Sequence, residues 1–158
     1  MAFDAFLKID GIEGDSMNAK HKGEIEVLSF SWGIQQQTQS SSSGGGGGAG
    51  KAQIADLQVM KKVDVATPQL FAACCTGEHI RDALFTVEQR ATSPKGRLSY
   101  LKIKLQDVLI SSVSPGGGGG DTPVEQVSLN FVKVELEYQD ERGQSQAALC
   151  NFASDNPT

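Results

Sequence analysis

The stretch Glu24-Ile-Glu-Val-Leu-Ser-Phe-Ser-Trp-Gly-Ile34 decides how the chain folds. Leu28, Phe30, Trp32 and Ile34 fall on one parity, with Ser29, Ser31 and Gly33 on the other. This alternation is the period of a half-buried strand, whose successive side chains point to opposite faces. The Leu28 parity is the expected core face, and its back is small, neutral and polar. The back of a core strand normally carries long charged residues that favour solubility. A short, hydroxyl-lined face therefore suggests a surface that passes close to another body without gripping it.

The same period recurs on either side. Phe3, Ala5, Leu7 and Ile9 share a face opposite Asp4, Lys8 and Asp10. In the run 53–65, Ala55, Leu57, Val59 and Val63 share a parity, with Lys61 as the exception. Further strands are expected over 83–90, 98–113 and 127–138, with a short last one over 147–152. Within 127–138 the apolar parity switches from Val127, Leu129 and Phe131 to Val132, Val134, Leu136 and Tyr138. Such a switch implies a bulge, or a strand that leaves one sheet for another. One short helix is expected over about 68–76. Thr67 caps it, Pro68 opens it, Leu70, Phe71, Cys74 and Cys75 recur at helical spacing, and Gly77 stops it. Many strands and one short helix predict an all-β fold, a barrel or sandwich with a flanking helix.

The 158 residues amount to one domain over 1–158, and 14 basic against 19 acidic residues gives 14 − 19 = −5. That balance argues against holding nucleic acid or an anionic membrane by bulk charge. No apolar run approaches the ~18–20 residues needed to span a bilayer, and Met1–Lys8 is not the start of a Sec-type signal peptide. Ten of the 18 glycines form two runs of five, Gly44–Gly48 and Gly116–Gly120. They place flexible Gly/Ser-rich loops over 38–52 and 115–121.

No chemical motif is complete. Gly45-x4-Gly50-Lys51 is followed by Ala52, not the Ser or Thr that holds magnesium in a phosphate loop, and by strand-like alternation where a helix should start. Cys74, Cys75, Glu78 and His79 lack the paired spacing of a zinc site, and His79 reads as a helix-end residue. Cys74, Cys75 and Cys150 read as free thiols acting as small buried hydrophobes. There is no Gly-x-Ser-x-Gly elbow, and only two histidines are available as a base. The residues assign no catalytic site, metal or cofactor.

Several strings occur in order: Met-Ala-Phe-Asp-Ala-Phe-Leu-Lys-Ile at 1–9, Glu-Ile-Glu-Val-Leu-Ser-Phe-Ser-Trp-Gly at 24–33, and Gly-Gly-Gly-Gly-Gly-Ala-Gly-Lys at 44–51. Thr67-Pro68, Val108-Leu-Ile-Ser-Ser-Val-Ser114 and Val127-Ser-Leu-Asn-Phe131 follow. Over about 1–138 this set resembles the haemolysin-coregulated protein (Hcp) family of bacterial type VI secretion systems. The resemblance implies a compact barrel of two antiparallel sheets with one flanking helix. It implies hexameric rings that stack into a tube inside a contractile sheath, under a valine-glycine repeat spike protein, made in the cytoplasm and exported with small effectors in the lumen. It places Ser29, Ser31 and Gly33 as lumen lining in contact with effectors. It also makes Ser43, Gly44, Gly45, Gly46, Gly47, Gly48, Ala49, Gly50 and Lys51 a ring-contact loop. No nucleic acid, stable membrane insertion or cofactor is implied. A phage-like tail tube protein, a monomeric ligand-binding β-barrel and a Cys/His hydrolase are the alternatives. The tail from Asp140 onward departs from the family pattern.

Overall fold

The computed structural model of the chain describes residues 3–38, 49–92, 94–96, 98–119 and 122–152. The alternating segments become β1 (Asp4–Ile9), β2 (Ile25–Val27), β3 (Ser29–Ser31), β4 (Ile34–Thr38), β5 (Ala49–Ile54) and β6 (Leu57–Lys62). Helix α1 (Thr67–Thr76) is followed by β7 (His79–Gln89), β8 (Ser99–Gly116), β9 (Val124–Asn130), β10 (Lys133–Gln139) and β11 (Ser145–Asn151). Nine strands form one antiparallel sheet in the order β2-β1-β7-β8-β9-β6-β3, with β10 beside β8 and β11 beside β10. The hairpin β4–β5 is a separate sheet.

The 18-residue β8 organises this layout by serving two sheet halves. Tyr100–Gln106 pairs with β10, whereas Leu109–Gly116 pairs with β9 on the same edge. A register shift between Ile110 and Ser112, and the left-handed Asp107 (φ 55°), lie where β8 changes partner. The parity switch expected within 127–138 is this same event seen from the other strand: Phe131 and Val132 separate β9 from β10.

A comparable event corrects the reading of 24–34. Ile25 and Val27 are buried opposite β1, while Leu28 and Ile34 are about half exposed. The chain kinks at Leu28, whose N–H donates to the Met60 carbonyl at 2.7 Å, and Phe30 takes over the inward parity opposite β6. One residue thus moves the chain from one edge of the nine-stranded sheet to the other, because a single-residue slip exchanges the two faces. No described ladder joins β2 to β3, so the sheet wraps round without a hydrogen-bonded seam.

Inside lie Leu7, Ile25, Leu57, Val59, Phe85, Ile103, Leu105, Val108, Ile110, Val127 and Leu129, each essentially removed from solvent. Phe30 meets Phe85 edge-on at 5.0 Å. At ~1.5–3 kcal/mol for each large apolar side chain fully buried, this cluster is the main source of stability.

The helix begins at Thr67, with Ala66 at the N-cap and no side-chain cap. Thr67 Oγ accepts the Asp64 N–H at 3.0 Å instead, bracing the turn before the helix. Its buried face is Leu70 and Ala73, with Cys74 half-buried and both Phe71 and Cys75 exposed. The buried stripe is thus rotated from the expected one, and the cysteines are free but not all buried. Gly77 ends the helix in the left-handed region (φ 67°), its N–H reaching the Ala73 carbonyl. His79 begins β7 and is not a helix-end residue.

Strand residues enter both ranges expected as loops. Within 38–52, Ala49 to Ala52 belong to β5, and residues 39–48 lie outside the described residues. Pro115 and Gly116 complete β8 opposite Glu125 and Val124.

Candidate functional site

Ser29 and Ser31 sit together on the outward face of β3, both exposed. Register extends that face across three more strands. Ser29 stands opposite Met60, Met60 opposite Gln126, and Gln126 opposite Ser114. Ser31 likewise leads through Gln58 and Ser128 to Ser112. Paired residues in an antiparallel ladder share a face, so these two rows form one wall over β3, β6, β9 and the second half of β8. No residue in either row is charged. The Gln126 side-chain N–H donates to Gln58 Oε1 at 3.0 Å, tying β9 to β6 across the face. At one margin Asp56 accepts from Ser111 Oγ (2.6 Å) and Asn130 Nδ2 (2.9 Å), which satisfies both carboxylate oxygens.

The sheet half formed by β1, β7, the first half of β8 and β10 has an outward face of opposite character. Lys102 stands opposite Glu137, and Lys104 opposite Glu135. Lys102 Nζ lies 4.6 Å from the Tyr100 ring centre, and the Tyr100 hydroxyl donates to Glu137 at 3.3 Å. Burial, then the Glu137 charge and that hydrogen bond, hold the Tyr100 phenol above its ordinary pKa. One side of the fold thus carries an ionic ladder, whereas the two rows of the other carry no charge between Asp56 at one margin and the exposed Lys62 at the far end of β6.

Of the other expected site residues, Gly33 lies at the corner between β3 and β4, where its carbonyl accepts the Ala55 N–H at 2.9 Å. Ser43 and Gly44–Gly48 lie outside the described residues, and Ala49, Gly50 and Lys51 run along β5. Gly50 and Lys51 therefore sit in a strand and not at a helix start, which removes the geometry a phosphate loop needs. His79 Nδ1 pairs with Asp107 at 2.9 Å on the surface. Among the described residues no group of three or more His, Cys, Asp or Glu is placed to hold a metal ion.

The sequence reading missed a buried charge cluster behind the wall. Lys61, the exception in β6, is fully buried and forms an ion pair with the equally buried Glu125 on β9. Asp64 Oδ1 lies 2.8 Å from Lys61 Nζ, and Lys61 also donates to the Lys62 carbonyl at 3.0 Å. The Thr67 hydroxyl donates to Glu125 Oε1 at 2.8 Å, joining the start of α1 to β9. Two charges of opposite sign on the core parity of adjacent strands were the available signal.

The family of type VI secretion system effectors named Hcp matches residues 6–138. The chain belongs to the Hcp family. Protein hcp1 of Pseudomonas aeruginosa is 44% identical over 143 residues, covering 90% of this chain and 86% of that protein. Among solved structures, Hcp1 from Salmonella typhimurium is 33% identical with a TM-score of 0.76, covering 98% of this chain and 97% of that one. A type VI secretion system effector from Yersinia pestis is 31% identical with a TM-score of 0.75, over 94% and 99% of the two chains. The Hcp match contains every strand of the uncharged wall and ends within β10, leaving β11 beyond it. Membership places the chain in a secreted protein family of type VI secretion.

Proposed function

We propose that the chain is a structural tube subunit of a type VI secretion system. Hexameric rings of it stack into a tube within the contractile sheath, under the valine-glycine repeat spike protein, and are exported carrying small effectors in the lumen. The two uncharged rows that cross four strands, with an open edge at each end, carry this reading. Among the described residues β3 pairs only with β6, and β8 beyond Leu109 pairs only with β9. Open edges invite pairing with another chain. A head-to-tail contact that sets β3 of one protomer beside the free part of β8 in the next continues the wall and closes by rotation.

In that ring Ser29, Ser31 and Gly33 line or border the lumen, and the segment 43–51 contacts the neighbouring ring. A charge-free lining suits transient retention, since desolvating short hydroxyls and amides costs far less than desolvating charges. The whole chain acts as one domain, with no cofactor, nucleic acid or stable membrane insertion. Size-exclusion chromatography with light scattering tests it: a hexamer is expected, and a strict monomer at high concentration refutes it. Ser31→Arg should preserve the ring while reducing effector retention. Loss of the ring would place the Ser31 side chain within the subunit contact and not on the lumen wall.

A further inference from the structure

The segment between β1 and β2 folds back on itself as a strap. Gly14 N–H donates to the Gly23 carbonyl (2.8 Å), Ser16 N–H to that of Glu24 (2.9 Å), and Gly23 N–H to that of Ser16 (2.9 Å). Gly14 is required there, because a Cβ would stand 2.6 Å from the Glu24 carbonyl oxygen. His21 fastens the strap to the barrel wall. Its ring stacks on Phe6 of β1 with centroids 4.2 Å apart and planes 9° apart, which explains why Phe6 is buried although it lies on the outward parity of β1. Its Nδ1 lies 2.8 Å from Glu24 Oε2, and its Nε2 lies 2.5 Å from Glu88 Oε1 on β7. All three side chains are 11–14% exposed.

We propose that residues 11–23 form a pH-gated strap, latched to the barrel by the His21 imidazolium and loosened when that ring loses its proton. Imidazolium donates from both nitrogens, whereas neutral imidazole donates from one and presents a lone pair at the other. A carboxylate is acceptor-only, so with both carboxylates ionised the neutral ring sets a lone pair against one of them in a mostly dry site. Among the described residues no lysine is ion-paired with Glu24 or Glu88. Lys20 on the strap, Tyr100 and Lys102 on β8 and the uncharged Gln139 on β10 line the cleft beside the ring, with Leu98. Asp4 and Arg90 flank the adjoining cleft. Release uncovers the Phe6 ring and opens the cleft floor at Glu88. The latch residues all belong to one protomer.

Hydrogen–deuterium exchange of the full-length protein, followed on peptides spanning 13–24 and corrected for intrinsic rates, tests this at about pH 5.5 and about pH 8.5, which bracket the charge change of an ordinary histidine. Strap protection should fall about tenfold or more at the higher pH, the scale of a lost charge-assisted hydrogen bond, while peptides from β8 stay unchanged. His21→Gln should be weakly protected and insensitive to pH. Glu88→Gln should remain protected at both pH values, because an amide can accept from Nε2–H or donate to a bare Nε2. It also carries the test if His21→Gln does not fold. A strap equally protected at both pH values, or a wild-type pH response surviving in either variant, overturns the proposal.

Discussion

Replacing Lys61 with Met removes one member of a fully buried ion pair and leaves the Glu125 carboxylate in place. Among the described residues Glu125 Oε2 has no hydrogen-bond partner, so after the substitution the Thr67 hydroxyl is the one described donor left to that carboxylate. Stranding one partner of a buried pair typically costs about 3–5 kcal/mol, against a total stability of about 5–15 kcal/mol for a domain. For a chain of this length that corresponds to a fall in Tm of roughly 6–20 °C. Glu125→Gln should cost less, because its amide oxygen can still accept from Lys61 and Asp64 still faces the ammonium. The double variant Lys61→Met/Glu125→Leu should recover most of the loss, since an apolar replacement of both partners is often neutral or stabilising. Urea unfolding at matched protomer concentration reads all three. The matching is needed because assembly itself shifts apparent stability. A Lys61→Met protein within about 1 kcal/mol of wild type, or a double variant no better than the worse single one, refutes the reasoning: neither fits a stranded buried charge.

Other expectations follow from burial and charge. Leu57→Ala should destabilise by about 2–5 kcal/mol, whereas Leu28→Ser, at the half-exposed kink, should stay within about 1 kcal/mol on the same denaturation curves; similar losses at both sites would contradict the kink. Tyr100 should titrate above an ordinary phenol, and Glu137→Gln should bring it down, read as ultraviolet phenolate absorbance against a Tyr100→Phe reference. Because the folded state holds that proton more tightly than the unfolded chain, its contribution is complete below the ordinary phenol range and disappears as pH rises through the raised value.

Period-two patterning made much of the barrel legible. Leu57 with Val59, Val127 with Leu129, and the alternating Ala5, Leu7 and Ile9 all proved to be core. The kink at Leu28 was not legible, because a one-residue slip leaves the composition of a strand unchanged while exchanging its faces. Phe6 was missed since the element that covers it is a strap from outside the sheet. The charges at 61 and 125 break the apolar pattern of their strands, and only pairing shows that they neutralise each other. Two of the eight wall residues, Ser29 and Ser31, were visible in sequence. Gln58, Met60, Gln126, Ser128, Ser112 and Ser114 joined it only through register, which no short window of sequence contains. The first part of β5, Ala49 to Ala52, was hidden because Gly50 is a poor strand former and the hairpin partner supplies the order.

Electron cryo-microscopy of the assembled protein at side-chain resolution tests the central claim most directly. A closed hexameric ring is expected, with Ser29, Ser31, Gln58, Met60 and Gln126 facing the channel and β3 beside β8 of the next protomer. A channel lined by the Lys102–Glu137 ladder, or particles with no closed ring, would contradict it.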